Sequence, residues 1–199
     1  MNPPIPLACR CGALQGRLLP SALRSHLRCY CDDCQTAAFA LGRPDTLDAH
    51  GGSAILQTVP AAVALSPGPL ALLRLSPKGL LRWHCGACQT PVANTLGNPR
   101  LPFVGLALSF IAVEPAEREA RFGPSVGIQG RFARGGKPAQ THDKAPFSTL
   151  WATGGILLRG ALTGAHQPSP FFSGGEPVVA ARILTKDERT AAAQAARGG

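Results

Sequence analysis

Seven cysteines carry the chemistry this chain can offer: Cys9 and Cys11, then Cys29, Cys31 and Cys34, then Cys85 and Cys88. An odd number of thiols in short-spaced groups argues against a disulfide framework and for metal. Residues i and i+2 of a strand face the same side. Cys9 with Cys11, and Cys29 with Cys31, can therefore each turn two sulfurs toward one ion. Cys85-Gly86-Ala87-Cys88 has the form of a knuckle, in which a small glycine lets a tight turn bring both sulfurs together. Zinc takes four ligands, and a site with only three protein ligands keeps an open position where it can do chemistry. Seven ligands cannot fill two closed sites, so they divide as four plus three. A rival division joins Cys31 and Cys34 to Cys85 and Cys88 as a zinc ribbon and leaves Cys9, Cys11 and Cys29 over. Spacing alone permits both.

Other candidates have plainer readings. His84 adjoins Cys85 and could substitute as a ligand, but motif cysteines normally fill such sites. Asp32 and Asp33 could support the metal ligands or cap a helix. Tyr30 and Trp83 read as core residues. Gly130 to Pro138 fails as a phosphate loop, because the first glycine is one residue too far and Pro138 replaces the hydroxyl.

The elements that must position the cysteines can be read in outline. Residues 12–19 and 26–31 are expected to form short strands. Residues 32–41 are expected to form one or two helical turns, capped by Asp32 or Asp33 and stopped by Gly42. Residues 53–59 and 61–65 are strand-like and divided by Pro60. Residues 70–75 and 80–85 flank Ser76-Pro77-Lys78-Gly79 and form a hairpin whose second strand delivers Cys85. Residues 103–113 suggest a further strand, and 123–146 a long loop. Phe147, Leu150, Trp151, Leu158 and Leu162 fall on one helical face between Pro146 and Gly164. That face is expected to pack on the cysteine-bearing part. Thr185 and Glu188 have capping-box spacing and open a terminal helix.

The 199 residues, 45% hydrophobic and 16% charged, suit a folded chain with a substantial core. The formal charge of +9 is dispersed. No run of like charge is present, which argues against a nucleic-acid partner. No apolar stretch reaches the roughly 20 residues of a membrane span, and the first residues lack the features of a secretory signal. A cytoplasmic protein is the expectation.

Three motifs in order carry a resemblance: Cys9-Arg10-Cys11-Gly12, Cys29-Tyr30-Cys31-Asp32-Asp33-Cys34, and Trp83-His84-Cys85-Gly86-Ala87-Cys88. Together with Thr90, Pro91, Asn94 and Thr95, they resemble the glutathione-dependent formaldehyde-activating enzyme family, which includes centromere protein V, over residues 7–113. The resemblance implies a mainly β fold, a β-tent of antiparallel sheets tied by zinc. The tent would span residues 1–113; residues 114–199 have no counterpart in the short members of the family and are expected, from their own pattern, to form a C-terminal extension with one or two helices, packed on it. The resemblance implies two Zn²⁺ ions per chain. One would be structural, held by Cys9, Cys11, Cys85 and Cys88. The other would be catalytic, held by Cys29, Cys31 and Cys34. It favours a carbon–sulfur lyase acting on a small-molecule thiol and aldehyde, or their adduct S-hydroxymethylglutathione. Arg28, Arg43 or Arg82 could orient the carboxylates of such a thiol. The chain departs from the family at Tyr30, where histidine is usual, and at Gln89, where glycine is usual. The alternative is a non-catalytic zinc-stabilised interaction module.

Overall fold

The computed structural model describes residues 3–22 and 24–198 and is mainly β, with 13 strands and four α-helices. The first strands are β1 (Ile5–Ala8), β2 (Gln15–Leu18) and β3 (Ser25–Cys29), followed by helix α1 (Asp32–Ala40). Then come β4 (Ser53–Thr58), β5 (Val63–Leu65), β6 (Leu70–Arg74), β7 (Leu81–Cys85), β8 (Pro91–Thr95) and β9 (Val104–Ala107). Beyond residue 113 lie α2 (Pro115–Phe122), β10 (Val126–Ile128), α3 (Phe147–Leu162), β11 (Phe172–Ser173), β12 (Glu176–Pro177), β13 (Ala181–Ile183) and α4 (Lys186–Gly198).

Eight strands form the main sheet in the order β10-β3-β4-β9-β8-β7-β6-β13. The six inner strands are antiparallel to their neighbours, while β10 runs parallel to β3 and β13 parallel to β6. The extension therefore supplies both sheet edges. A second sheet, β1-β2-β5, stands beside it. The expected hairpin is β6–β7, with Leu70 opposite Cys85, and Gly79 at φ +126° supplies backbone that other residues rarely adopt.

The core spans both parts of the chain. Trp83 is buried on β7 and donates its indole N–H to Thr95 Oγ1 at 2.9 Å. Phe171 and Phe172 of the extension pack on it at ring distances of 5.2 and 6.1 Å. Each fully buried aromatic of this kind stabilises by about 2–3 kcal/mol. The expected capping box is present: Thr185 N–H donates to Glu188 Oε2 (2.8 Å) and Glu188 N–H to Thr185 Oγ1 (3.2 Å). The α4 helix lies against α1, where Arg189 pairs with Asp33 at 3.2 Å.

Four local expectations need correction. Cys31, not Asp32 or Asp33, is the N-cap of α1; the two acids lie in its first turn, where they favour the positive helix end. The strand read over 103–113 stops at Ala107, and a single tight helical turn follows. The expected loop 123–146 contains β10, paired with β3. Finally, the apolar face of α3 points away from the sheet. Phe147 is 74% exposed, Trp151 67%, Leu158 64% and Leu162 79%. The buried face is Thr149, Ile156 and Gly160 instead. The physical reason is close approach: a Cβ added at Gly160 would lie 2.8 Å from Pro102 Cβ, so only glycine fits there without a shift.

Candidate metal centres

Strand ends and turns bring the cysteines into two groups, each with all sulfurs within 4.8 Å of one another: Cys9, Cys11, Cys85 and Cys88, and separately Cys29, Cys31 and Cys34. Each could hold a metal ion. Among the described residues no group joins Cys31 and Cys34 to Cys85 and Cys88, so the ribbon division is not what the fold builds. All-sulfur donor sets suit soft or borderline ions.

In the four-sulfur group, Cys9 leaves β1 into a turn closed by the Gly12 N–H on its carbonyl (2.9 Å), with Gly12 at φ +73°. This turn, rather than a strand, presents Cys9 and Cys11, whose sulfurs are 3.5 Å apart. Cys85 ends β7, and the Gln89 N–H closes the knuckle on its carbonyl at 2.8 Å. Cys11 and Cys85 sulfurs stand 4.0 Å apart.

The surroundings of this group treat its thiols differently. Leu14 N–H donates to Cys9 Sγ at 3.2 Å. Thr90 Oγ1 lies 3.1 Å from Cys88 Sγ and accepts from Arg10 N–H (3.2 Å) and Arg43 Nη1 (2.8 Å). Arg43 is buried and bonds Asp45 through two contacts of 2.8 Å, which raises its pKa. Its guanidinium also donates to the Cys88 carbonyl at 3.2 Å. Burial opposes ionisation of Cys88, but hydrogen bonds from the Thr90 hydroxyl and from backbone bring its thiol down to about 5. Burial pushes Cys85 up to about 12.

The three-sulfur group sits at the junction of β3 and α1. Cys29 is the last residue of β3, Cys31 caps α1, and Cys34 lies in its first turn. Tyr30, between the ligands, is buried, and its hydroxyl donates to Asp48 Oδ2 at 3.0 Å. Asp48 also accepts from Arg28 Nη1 (2.6 Å) and from the His50 and Gly52 N–H groups (2.8 Å each). Burial works against the Asp48 charge, but Arg28 and the backbone donors hold its pKa below the usual value. Gln35 Nε2 donates to the Tyr30 carbonyl at 2.7 Å and fixes the loop from the other side.

Within the trio the protons are unevenly shared. Hydrogen bonding with its two neighbours raises Cys29. Hydrogen bonding with Cys29 works to lower Cys31, but Cys34 and burial outweigh it and carry the thiol up to about 12. Cys34 goes the other way: hydrogen bonds from Cys29 and Cys31, and then the charge and N–H of Arg82, hold it well below the ordinary thiol value.

Cys34 also lines a cavity of about 580 Å³, within the range of small-molecule pockets. Arg28, Arg82 and Arg118 share its wall with Asp48 and Asn94. Arg82 is buried on β7, with Nη1 3.5 Å from Asn94 Oδ1. None of the four-sulfur group lines this cavity. Arg43 belongs to the four-sulfur group, not to the cavity wall. His84 joins neither cysteine group, and burial lowers its pKa.

Sequence reasoning missed Asp48 and Arg118. Asp48-Ala49-His50-Gly51-Gly52 carries the signal of an aspartate-led turn, with Gly51 at φ +83°. Arg118 rides on α2, which Pro115 at its start, the Glu117–Arg121 pair and Gly123 at its end could have announced. Among the described residues no helix is long and apolar enough to cross a membrane. In comparisons with known proteins, a family described as "Family of unknown function (DUF6151)" matches residues 1–182. No curated protein matches the chain.

Proposed function

Because the chain belongs to a family of unknown function, DUF6151, its activity must be argued from its own site. We propose that it binds two zinc ions and uses the three-cysteine centre to join a small acidic thiol to an aldehyde, or to part them. This is the carbon–sulfur lyase chemistry of the formaldehyde-activating enzymes it resembles. The observation that carries the reading is the asymmetry between the two groups: Cys34 of the trio lines a cavity walled by three arginines, and no member of the four-sulfur group does.

When bound by three thiolates, zinc would supply a Lewis-acid position that lowers the pKa of an incoming thiol. The chain's own residues do the rest. Arg28 and Arg118, both half-buried, offer guanidinium groups to the carboxylates of the thiol. Asp48 holds Arg28 in place, and Asn94 meets Arg82. The thiol loses its proton, and its sulfur attacks the aldehyde carbon. A C–S bond forms, the carbonyl pair moves to oxygen, and that oxygen takes up a proton to give a hydroxyl. The reverse reaction breaks the C–S bond and regenerates both partners.

The test is Cys31→Ser. The three ligands lie in one short stretch, so their metal closes only a small loop and adds little global stability. The variant should lose one zinc per chain by elemental analysis, keep its melting temperature, and lose turnover of S-hydroxymethylglutathione. A wild-type protein with both zincs that neither binds glutathione nor turns over the adduct would transfer the reading to a zinc-stabilised interaction module.

A further inference from the structure

The α3 helix presents two faces of unlike character. One is seated on the sheet: Ile156 belongs to the main core, Thr153 Oγ1 donates to Gln57 Oε1 at 2.9 Å, and Gly160 approaches Pro102 and Val59. The opposite face carries Phe147, Leu150, Trp151, Leu158 and Leu162, all exposed. Phe147 and Trp151 meet edge to face at 5.9 Å at one end of the stripe.

Its arrangement is symmetric about its own centre. Phe147 and Leu162 are equidistant from the midpoint between Gly154 and Gly155, and so are Trp151 and Leu158. Each glycine costs the helix about 1 kcal/mol relative to alanine. Nothing in the chain's own fold needs either of them: a Cβ at Gly154 or Gly155 would meet nothing within 4 Å. The helix carries no acid and a single base, Arg159, beside the stripe.

We infer that this face is a homodimer interface, in which α3 of one chain packs antiparallel on α3 of a second copy about a two-fold axis at Gly154–Gly155. A two-fold interface must be self-complementary. The axis sets the large residues of each end against leucines of the other, Phe147 on the partner copy's Leu162 and Trp151 on its Leu158. The glycines lie at the crossing, where two helices approach most closely. Arg159 of one copy lies beside Leu150 of the other, which its aliphatic stem can cover, so the two charges do not meet. The stripe offers on the order of 600 Å² of apolar surface, at the upper end of what a monomer leaves exposed. With rim residues this approaches the roughly 800 Å² per partner of a stable interface.

Sedimentation velocity on the full chain tests this. The expected result is a concentration-dependent dimer between about 1 and 100 µM, the range that interfaces of this size span at the weak end. A chain of +9 repels its copy, so added salt should strengthen the dimer, whereas it would weaken attachment to an acidic surface. Trp151 emission should shift to the blue on association, while buried Trp83 stays constant. Leu158→Glu should weaken association at least about a hundredfold, because the change occurs twice across the axis. Gly155→Leu should weaken it while leaving thermal stability intact, since it improves helix propensity and meets open space. A chain that stays monomeric throughout, variants that dimerise like the parent, or a monomer that sediments with anionic vesicles would each overturn the proposal.

Discussion

Hydrogen bonding within the trio and burial raise the Cys29 and Cys31 thiols, so both keep their protons at neutral pH, whereas Cys34 is held well below the ordinary thiol value. A metal ion entering the trio must expel at least the protons of Cys29 and Cys31. Protons compete with the metal, so affinity rises with pH, by about a hundredfold per unit through neutrality when two protons leave. Titration against a chromophoric chelator from acid to alkaline pH should show this slope for the equivalent that Cys34→Ser loses. A flat profile would mean that the trio is ionised before metal arrives. Arg82, whose guanidinium faces Cys34 from β7, adds to the lowering that Cys29 and Cys31 impose on that thiol. Arg82→Met should raise the Cys34 pKa and move the affinity profile toward alkaline pH.

At the scale of elements, α3 is held by what it lacks. Gly160→Leu would drive a side chain into Pro102 and Val59, lift the helix and unpack Ile156. Overpacking of this kind costs about 1–3 kcal/mol. Urea unfolding should show a lower midpoint for Gly160→Leu; an unchanged midpoint would place α3 off the sheet. Elements built from local rules were legible in the chain: the β6–β7 hairpin from its turn residues, α4 from the Thr185–Glu188 box, and the cysteine groups from their short spacings. Elements built by distant pairing were not. The strands β10 and β13 have three residues each, too few to show alternation, and exist because β3 and β6 offer open edges. The direction of α3 was misread because burial normally follows the largest apolar residues, whereas close approach here selects the smallest. Spacing alone left the division of sulfurs open; the fold brings Cys9 and Cys85, far apart in sequence, into the grouping that the resemblance implied, and the arginine-walled cavity draws on β3, α1, β7, β8 and α2.

For the whole molecule, the extension closes what the first 113 residues leave open. It caps the main sheet at both ends and covers Trp83 with Phe171 and Phe172. A chain ending at Val113 would leave the outer edges of β3 and β6 open and the tryptophan uncovered. Open sheet edges recruit other chains. That shortened chain should aggregate or form large oligomers in light scattering, with metal supplied throughout. A monodisperse, cooperatively melting monomer would show instead that the inner sheet stands alone.

The placement of those edge strands also sets a clock. On a ribosome the inner strands, complete at Ala107, can pair before β10 emerges, and Ile183 at the end of β13 must follow before the second edge closes. At about 5–20 residues per second of synthesis, that interval lasts roughly 4–15 seconds. Hairpins form in microseconds, so the nascent sheet would wait with its β6 border unguarded for far longer than it took to assemble, and with the β3 border open until β10 emerges. The chain's yield in a cell is then governed by elongation speed and chaperone access over residues 108–183, and slowing translation there should lower soluble yield without altering the stability of the molecules that finish.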